Sequence, residues 1–224
     1  MDTDARLVPA AVPRRPEGVA LVLHGGGARR DRMRVSPTQL SVLRMVPVAH
    51  RIARSGRRRL AVYRLLNSAR GWDTRHTPVS DVHWALGRIS DDLGPLPVSL
   101  VGHSLGGRAA LLAGGAPDVQ SVVALAPWVQ LSDSPQLPGR DVLVVHGTDD
   151  RIASWDRARS VTDRLRPEAD RVGFVSVEGG RHAMLRHHRL FDGLAAEFVA
   201  ATLLGDRAVG PVADVLGGRY LVET

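Results

Sequence analysis

Residues 98–112, VSLVGHSLGGRAALL, change from a β-branched apolar pattern to a helix-forming one within a few positions. The first part is typical of a buried strand, and the second is rich in good helix formers. Between them, residues 102–106 fit the pattern G-x-S-x-G, with Ser104 at its centre. We expect a tight turn that strains the backbone of Ser104 and exposes its hydroxyl at a helix N-terminus. An ordinary turn with a capping serine is the simpler alternative.

Strand-like and helical segments alternate on either side of this stretch. The strand-like ones are residues 18–27, 59–67, 97–102, 120–128, 141–147 and 171–179, and the helical ones are 41–56, 79–94, 154–166 and 189–205. We expect Pro47 to kink or restart the first helix and Ser80 to cap the second. Little before Gly18 is strand-like. The alternation predicts an α/β protein with a parallel sheet covered on both faces, in which ligands bind beyond the carboxyl ends of the strands.

Composition limits the classes of function. The 224 residues are enough for one domain, and the absence of cysteine excludes disulfides and thiolate metal sites. All 30 basic residues are arginine, with clusters at 28–34 and 54–60, and the net charge is +7. Because the other arginines are scattered, we expect solvated surface charge and no nucleic-acid partner. The chain shows no signal peptide and no membrane span, which predicts a cytoplasmic protein.

Two further strand ends carry side chains suited to activating a serine. Asp149 and Asp150 follow the strand at 141–147, and His182 follows the strand at 171–179. A serine hydroxyl is a poor nucleophile until a base takes its proton. A histidine can be that base, and a carboxylate on its other ring nitrogen would orient it. The order serine, acid, histidine therefore predicts a catalytic triad.

The first strand ends in HGGG, residues 24–27, which places backbone N–H groups at the same edge of the sheet. Together with the N–H of Leu105, these are suitable donors for a tetrahedral oxyanion. Each feature has an ordinary alternative, since histidines fill strand ends, paired aspartates cap helices and glycines turn the chain. Four features in this order favour a serine hydrolase site. His187 and His188 are alternative bases, whereas His24, His103 and His146 are expected to be structural.

The motifs HGGG, GHSLGG, HGTDD and GGRH resemble those of α/β-hydrolases over about residues 18–204. The resemblance implies the α/β-hydrolase fold, with a mostly parallel central sheet and helices on both faces, as a single domain over 1–224 with an N-terminal extension (1–17) and a C-terminal tail (206–224). The implied catalytic residues are Ser104 as nucleophile, Asp150 as acid and His182 as base, with Gly26, Gly27 and Leu105 forming the oxyanion hole. Asp150 is preferred to Asp149 because the usual run is H-G-x-x-D.

Residues 129–140 are too short for the helical lid that many such proteins insert, so we expect no substantial cap and an open pocket, as in small carboxylesterases and dienelactone-hydrolase-like proteins. Trp72 and Trp128 follow strands at this edge and are candidate substrate-binding residues, with the rim of the core as the alternative. Arg108 and Arg151 lie near catalytic positions and are candidates to attract a substrate carboxylate, although solvated arginines are commoner.

The sequence therefore predicts a serine hydrolase that cleaves a small carboxylic ester or thioester through an acyl-enzyme intermediate. We expect no cofactor and no metal. Acyl transfer to an alcohol or amine by the same triad is one alternative, and a non-catalytic binding protein that keeps the fold is another. Apolar residues in the tail at 206–224 would pack on the core or on a second subunit, so a homodimer is possible.

Overall fold

A computed structural model describes residues 4–27 and 34–224. The strands are β1 (Arg6–Ala11), β2 (Gly18–Leu23), β3 (Leu60–Leu66), β4 (Val98–His103), β5 (Val119–Leu125), β6 (Asp141–Gly147), β7 (Arg171–Val177) and β8 (Leu221–Glu223). The helices are α1 (Leu40–Ser55), α2 (Thr77–Leu93), α3 (Leu105–Ala113), α4 (Trp155–Asp163), α5 (His188–Leu204) and α6 (Gly210–Leu216). Most of the first arginine cluster, residues 28–33, lies outside the described residues.

These strands form one sheet in the order β1-β3-β2-β4-β5-β6-β7-β8. Only β1 runs antiparallel to its neighbour, and every other pair of neighbours is parallel. The predicted parallel sheet is confirmed. Because the chain places β3 on one side of β2 and β4 on the other, a crevice opens at the carboxyl ends of β2 and β4, which is where open α/β sheets bind ligands.

Helices cover both faces of the sheet, and alternate residues of each strand serve the two cores. On β2, Leu21 and Leu23 face the core formed with α2, α3 and α4, whereas Ala20 and Val22 face the core formed with α1, α5 and α6. All six residues of β2 are buried. This two-sided burial explains why the central strands are continuously apolar in sequence.

The N-terminal end of the chain differs from expectation, whereas the C-terminal tail takes one of the two packings expected for it. Residues 6–11, expected to lie outside the sheet, form its edge strand β1, which pairs with β3 and is irregular between Pro9 and Ala11. An edge strand with one pairing side is only half-buried, so it lacks the continuous apolar run of the central strands. At the other end, residues 210–223 pack on the core, because α6 lies against β7 and β8 pairs with β7 in parallel.

The structure corrects two details of the helices, the restart predicted at Pro47 and the cap predicted at Ser80. Helix α1 continues through Pro47, whose exposed position leaves the missing backbone hydrogen bond to solvent while Val48 and Ile52 stay packed. Helix α2 begins at Thr77 and not at Ser80, because the carboxylate of Asp73 accepts the N–H and the hydroxyl of Thr77.

The connection between β5 and β6 is short. Residues 126–140 contain no helix, so within the described residues nothing inserted there covers the carboxyl edge of β4. This confirms the prediction of a fold without a cap. No helix of the described part is long and apolar enough to cross a lipid bilayer.

Candidate active site

Ser104 occupies the sharp turn between β4 and α3, with φ 56° and ψ −117°. On either side of Ser104, neighbouring backbone comes so close that Gly102 and Gly106 have no room for a side chain. A Cβ atom at Gly102 would lie 2.1 Å from the carbonyl oxygen of Gly106, and one at Gly106 would lie 2.5 Å from the carbonyl oxygen of Leu23. The two glycines therefore permit the strained conformation at Ser104.

The structure brings Ser104, His182 and Asp150 together from the carboxyl ends of three strands. His182 Nε2 lies 2.9 Å from Ser104 Oγ, and His182 Nδ1 lies 2.8 Å from Asp150 Oδ2. Since the carboxylate can only accept, Nδ1 carries the proton, and Nε2 accepts the hydroxyl hydrogen of Ser104. This is the arrangement of a nucleophile, its base and the group that orients the base.

Asp150 is held as a carboxylate by several donors. Burial acts to raise its pKa, but hydrogen bonds from His182 and from the N–H groups of Ala153 and Ile152 outweigh burial and hold the pKa below its usual range. Asp149 is exposed, and within the described residues its carboxylate makes no hydrogen bond to a histidine. The geometry therefore favours Asp150 over Asp149.

The alternative bases do not reach the serine. His187 is the N-cap residue of α5, and the ring of His188 donates to the carbonyl of Leu185. Of these histidines, the structure places only His182 in hydrogen-bond contact with Ser104.

Residues 24–27 pass directly beside the turn of Ser104. A Cβ atom at Gly25 would lie 3.2 Å from Ser104 Cβ, and one at Gly26 would lie 2.8 Å from Leu105 Cδ1. The N–H of Gly27 donates to the carbonyl of Arg70 at 3.3 Å and is therefore engaged. Leu105 is the first residue of α3, so its N–H has no acceptor within the helix. Gly26 and Leu105 remain the candidate oxyanion donors.

Two side chains hold the backbone of the segment that carries His182. His103 Nε2 donates to the carbonyl of His182 at 2.8 Å, and Arg44 Nε donates to the carbonyl of Ala183 at 2.8 Å. Arg44 also forms a buried ion pair with Asp192 at 2.9 Å. The next residue, Met184, has φ 57° and is buried. The position of His182 is therefore set by β4, α1 and α5 together.

The structural histidines are buried as expected. Burial lowers the pKa of His24 and His146, and burial together with the nearby His182 lowers the pKa of His103 to about 3. His24 donates to the carbonyl of Gly25 and accepts the N–H of Asn67. These rings stay neutral, and the structure gives none of the three a contact with the hydroxyl of Ser104.

Trp72 and Trp128 meet at one buried arginine. The guanidinium carbon of Arg108 lies 4.0 Å from the ring centre of Trp72 and 5.6 Å from that of Trp128. Arg108 makes a bidentate ion pair with Asp133, at 2.6 and 2.8 Å, and both side chains are buried. The suggestion that Arg108 attracts a substrate carboxylate was therefore wrong, because its charge is already paired. Both indoles are half-buried beside this pair.

Sequence reasoning missed the role of Arg44. The signal that it offers is a polar residue within the apolar face of α1, since Arg44 lies between the buried residues Val42 and Met45. Its two partners lie 139 and 148 positions away along the chain, so no local pattern connects them.

Within the described residues, no group of three acidic or histidine side chains is placed to hold a metal ion.

Similar proteins are found by comparing structures and not by comparing sequences. No family sequence model matches the chain, and no curated protein sequence matches it significantly. Est1E from Butyrivibrio proteoclasticus superposes with a TM-score of 0.65 at 14% identity, covering 89% of this chain and 94% of that one. XC6422 from Xanthomonas campestris, an α/β serine hydrolase without a lid, superposes with a TM-score of 0.65 at 19% identity, covering 92% and 90%.

A putative α/β-hydrolase from Agrobacterium tumefaciens gives a TM-score of 0.64 at 16% identity, with 92% and 94% covered. At such low identity these likenesses bear on the fold and not on the reaction. They agree with the fold described above, and the lack of a lid in the Xanthomonas campestris protein agrees with the short β5–β6 connection. The chain therefore has the α/β-hydrolase fold in its form without a cap domain.

Proposed function

We propose that this protein is a serine hydrolase that cleaves a small carboxylic ester or thioester through an acyl-enzyme intermediate. The observation that carries the proposal is the pair of hydrogen bonds that links Ser104 to His182 and His182 to Asp150. The strained turn at Ser104 supports it as well, because such strain is characteristic of functional sites. Neighbours of the same fold include proteins described as esterases and serine hydrolases.

The proposed reaction has two halves. Ser104 Oγ attacks the carbonyl carbon while His182 Nε2 takes the hydroxyl proton, and the imidazolium then gives this proton to the departing alcohol or thiol. Water then attacks the acyl carbon of the acyl-enzyme while His182 takes its proton, and the proton returns to Ser104 Oγ as the carboxylic acid is released. Asp150 keeps Nδ1 protonated and stabilises the imidazolium, which is the role that its lowered pKa suits.

Charge on the tetrahedral oxygen needs donors on the side of Ser104 that faces β2. We assign this role to the N–H groups of Gly26 and Leu105, because Gly26 lies against the side chain of Leu105 and the N–H of Leu105 is at the positive end of α3. Gly27 was predicted as a third donor. Because the N–H of Gly27 donates to the carbonyl of Arg70, we propose that Gly27 holds Gly26 in position and does not bind the oxyanion.

Labelling with a fluorophosphonate probe tests the proposal. Wild type should label, and Ser104→Ala and His182→Ala should not, because the probe reacts with an activated serine. Ser80→Ala and His83→Ala are matched controls, since both residues are exposed on α2 and distant in sequence from the triad. A folded wild-type protein that does not label contradicts the proposal and favours the binding-protein alternative.

A panel of p-nitrophenyl esters of graded acyl length then separates the finer alternatives. Steady release of both products in water supports hydrolysis. Product formation that depends on an added alcohol or amine supports acyl transfer instead, with the same three residues required.

A further inference from the structure

A cavity of about 310 Å³ opens beside the proposed base. The lining residues are Asp149, Arg151, Ile152, Arg181, His182 and Ala183. They come from the segments that follow β6 and β7 and include His182 itself. The cavity therefore adjoins the residue that would transfer the proton.

Sheet order decides which part of a substrate meets this cavity. Ser104 follows β4, the proposed oxyanion donor Gly26 follows β2 on one side, and His182 follows β7 on the other. The carbonyl oxygen of an ester points to the donors, and the departing oxygen must lie near His182 to receive its proton. The alcohol portion of the substrate is therefore the part that extends toward the cavity.

Charge in the cavity is unbalanced. Arg151 and Arg181 are exposed, and within residues 4–27 and 34–224 neither guanidinium has a hydrogen-bond or ion-pair partner. Asp149 is the one acidic residue of the lining. Ile152, whose side chain is 66% exposed, and Ala183 add apolar surface. A guanidinium fork matches carboxylate and phosphate oxygens, which a neutral alcohol lacks.

We infer that the substrate is an ester whose alcohol portion carries a negatively charged group, a carboxylate or a phosphate, held by Arg151 and Arg181. This inference rests on the proposed function. In the acylation step the bond from Ser104 Oγ to the acyl carbon forms, the bond from that carbon to the alcohol oxygen breaks, and the proton passes from Oγ through His182 to the alcohol. The anionic alcohol leaves through the cavity, and water completes the cycle.

The test compares two acetate esters that differ in one charge: 3-acetoxybenzoate and 3-acetoxybenzamide. The readout is the ratio of kcat/KM for the anionic ester to kcat/KM for the neutral one, in wild type, Arg151→Gln, Arg181→Gln and the double variant. Because an exposed ion pair contributes only modestly to binding free energy, we expect each single change to lower the ratio about threefold and the double change about tenfold. Raising the NaCl concentration to about 0.5 M should lower the wild-type ratio as well.

Arg186→Gln is the matched control, because Arg186 is exposed on the same segment and does not line the cavity. A ratio that stays unchanged in the double variant, while the neutral ester is still cleaved, overturns the inference and leaves the proposed function standing. If the wild-type protein cleaves neither ester and does not label with the probe, the proposed function is overturned, and this inference with it. A ratio that falls in Arg186→Gln to the same extent also contradicts the inference, because it indicates general attraction by net charge.

Discussion

The turn that carries Ser104 and the segment that carries His182 reach the same site by different means. The turn is built mainly from neighbours in sequence: Gly102 lets its backbone approach that of Gly106, and β4 and α3 follow directly on either side, while Gly106 also packs against the backbone of Leu23 on β2. The segment of His182 depends on side chains far away in the chain, from Arg44 on α1 and His103 on β4.

This difference has a physical cause. A nucleophile on a turn between two regular elements depends mainly on the backbone conformation of that turn, which short-range sterics largely determine. A base on a longer loop needs its backbone carbonyls and its ring to be held from outside, because loops lack regular hydrogen bonding of their own. Changes in the turn should therefore act mainly through folding, whereas changes around the base should lower turnover even in variants that keep their stability.

Replacing the partner of the base should give the largest effect on activity. Asp150→Asn preserves the shape but favours the wrong tautomer of His182, so we expect kcat to fall by about 10³ to 10⁴. The measurement is steady-state hydrolysis of p-nitrophenyl acetate, with circular dichroism to check the fold. The control is Asp118→Asn, because Asp118 is exposed and directly precedes β5. A loss of less than about tenfold would show that Asp150 does not orient His182.

The turn itself is tested by adding one methyl group. Gly102→Ala places a Cβ atom 2.1 Å from the carbonyl oxygen of Gly106, so we expect a loss of about 3 kcal/mol or more in the free energy of unfolding. Urea denaturation measures it. The control is Gly87→Ala, because Gly87 lies inside α2 with nothing within 4 Å of its added Cβ. That change should stabilise the protein by about 0.5–1 kcal/mol, and equal effects at the two glycines would refute the steric explanation.

The long-range support of the base is tested at the buried pair of Arg44 and Asp192. Arg44→Met alone leaves Asp192 buried and unpaired, and we expect it to cost about 3–5 kcal/mol of stability. The double variant Arg44→Met with Asp192→Leu removes both charges and should recover most of that stability. Its kcat should still be about tenfold or more below wild type, with KM nearly unchanged, because the carbonyl of Ala183 has lost its donor.

A double variant that is stable and has wild-type kcat would show that Arg44 serves the fold alone. Arg44→Lys adds a second check, because lysine can pair with Asp192 but lacks the fork that also reaches Ala183. Its stability should be close to that of wild type, and its kcat should lie between those of wild type and the double variant.

The effect that is smallest at neutral pH concerns His103, which links the two regions. Its pKa falls from the usual value near 6.5 to about 3 in the folded protein, so the unfolded chain binds the extra proton between those values. The free energy of unfolding should therefore decrease as the pH falls from about 6.5 toward 3. His103→Gln keeps a donor for the carbonyl of His182 and should flatten this decrease, measured by urea denaturation across that range. An unchanged slope, with exposed His83→Gln as the control, would contradict the assignment.

Much of the sheet and the candidate site follows from local patterns. Apolar runs predicted the six central strands, and their alternation with helices predicted parallel pairing. The pattern G-x-S-x-G predicted the turn at Ser104, and the strand-end positions of Asp150 and His182 predicted that they meet it. These predictions succeed because parallel strands carry residues that follow them to one common edge.

Other features depended on partners that no local pattern reveals. The edge strand β1 lacked a signal because only one of its sides is paired. The N–H of Gly27, expected to be free, donates to Arg70, and the charge of Arg108, expected to face a substrate, is paired with Asp133. In these last two cases, the partner that engages the group comes from a different loop.

The amino-acid sequence by itself determined the order of the central strands and their helices, the turn that exposes Ser104 and the three residue types that meet at one edge of the sheet. Short-range sterics and hydrophobic periodicity are properties of neighbouring residues, so they can be read without a structure. Only the tertiary structure decided which N–H groups and which arginines remain unpaired, and that Arg44 and His103 hold the segment of His182. Those outcomes depend on hydrogen bonds between residues far apart in the chain, and such bonds exist only after the chain has folded.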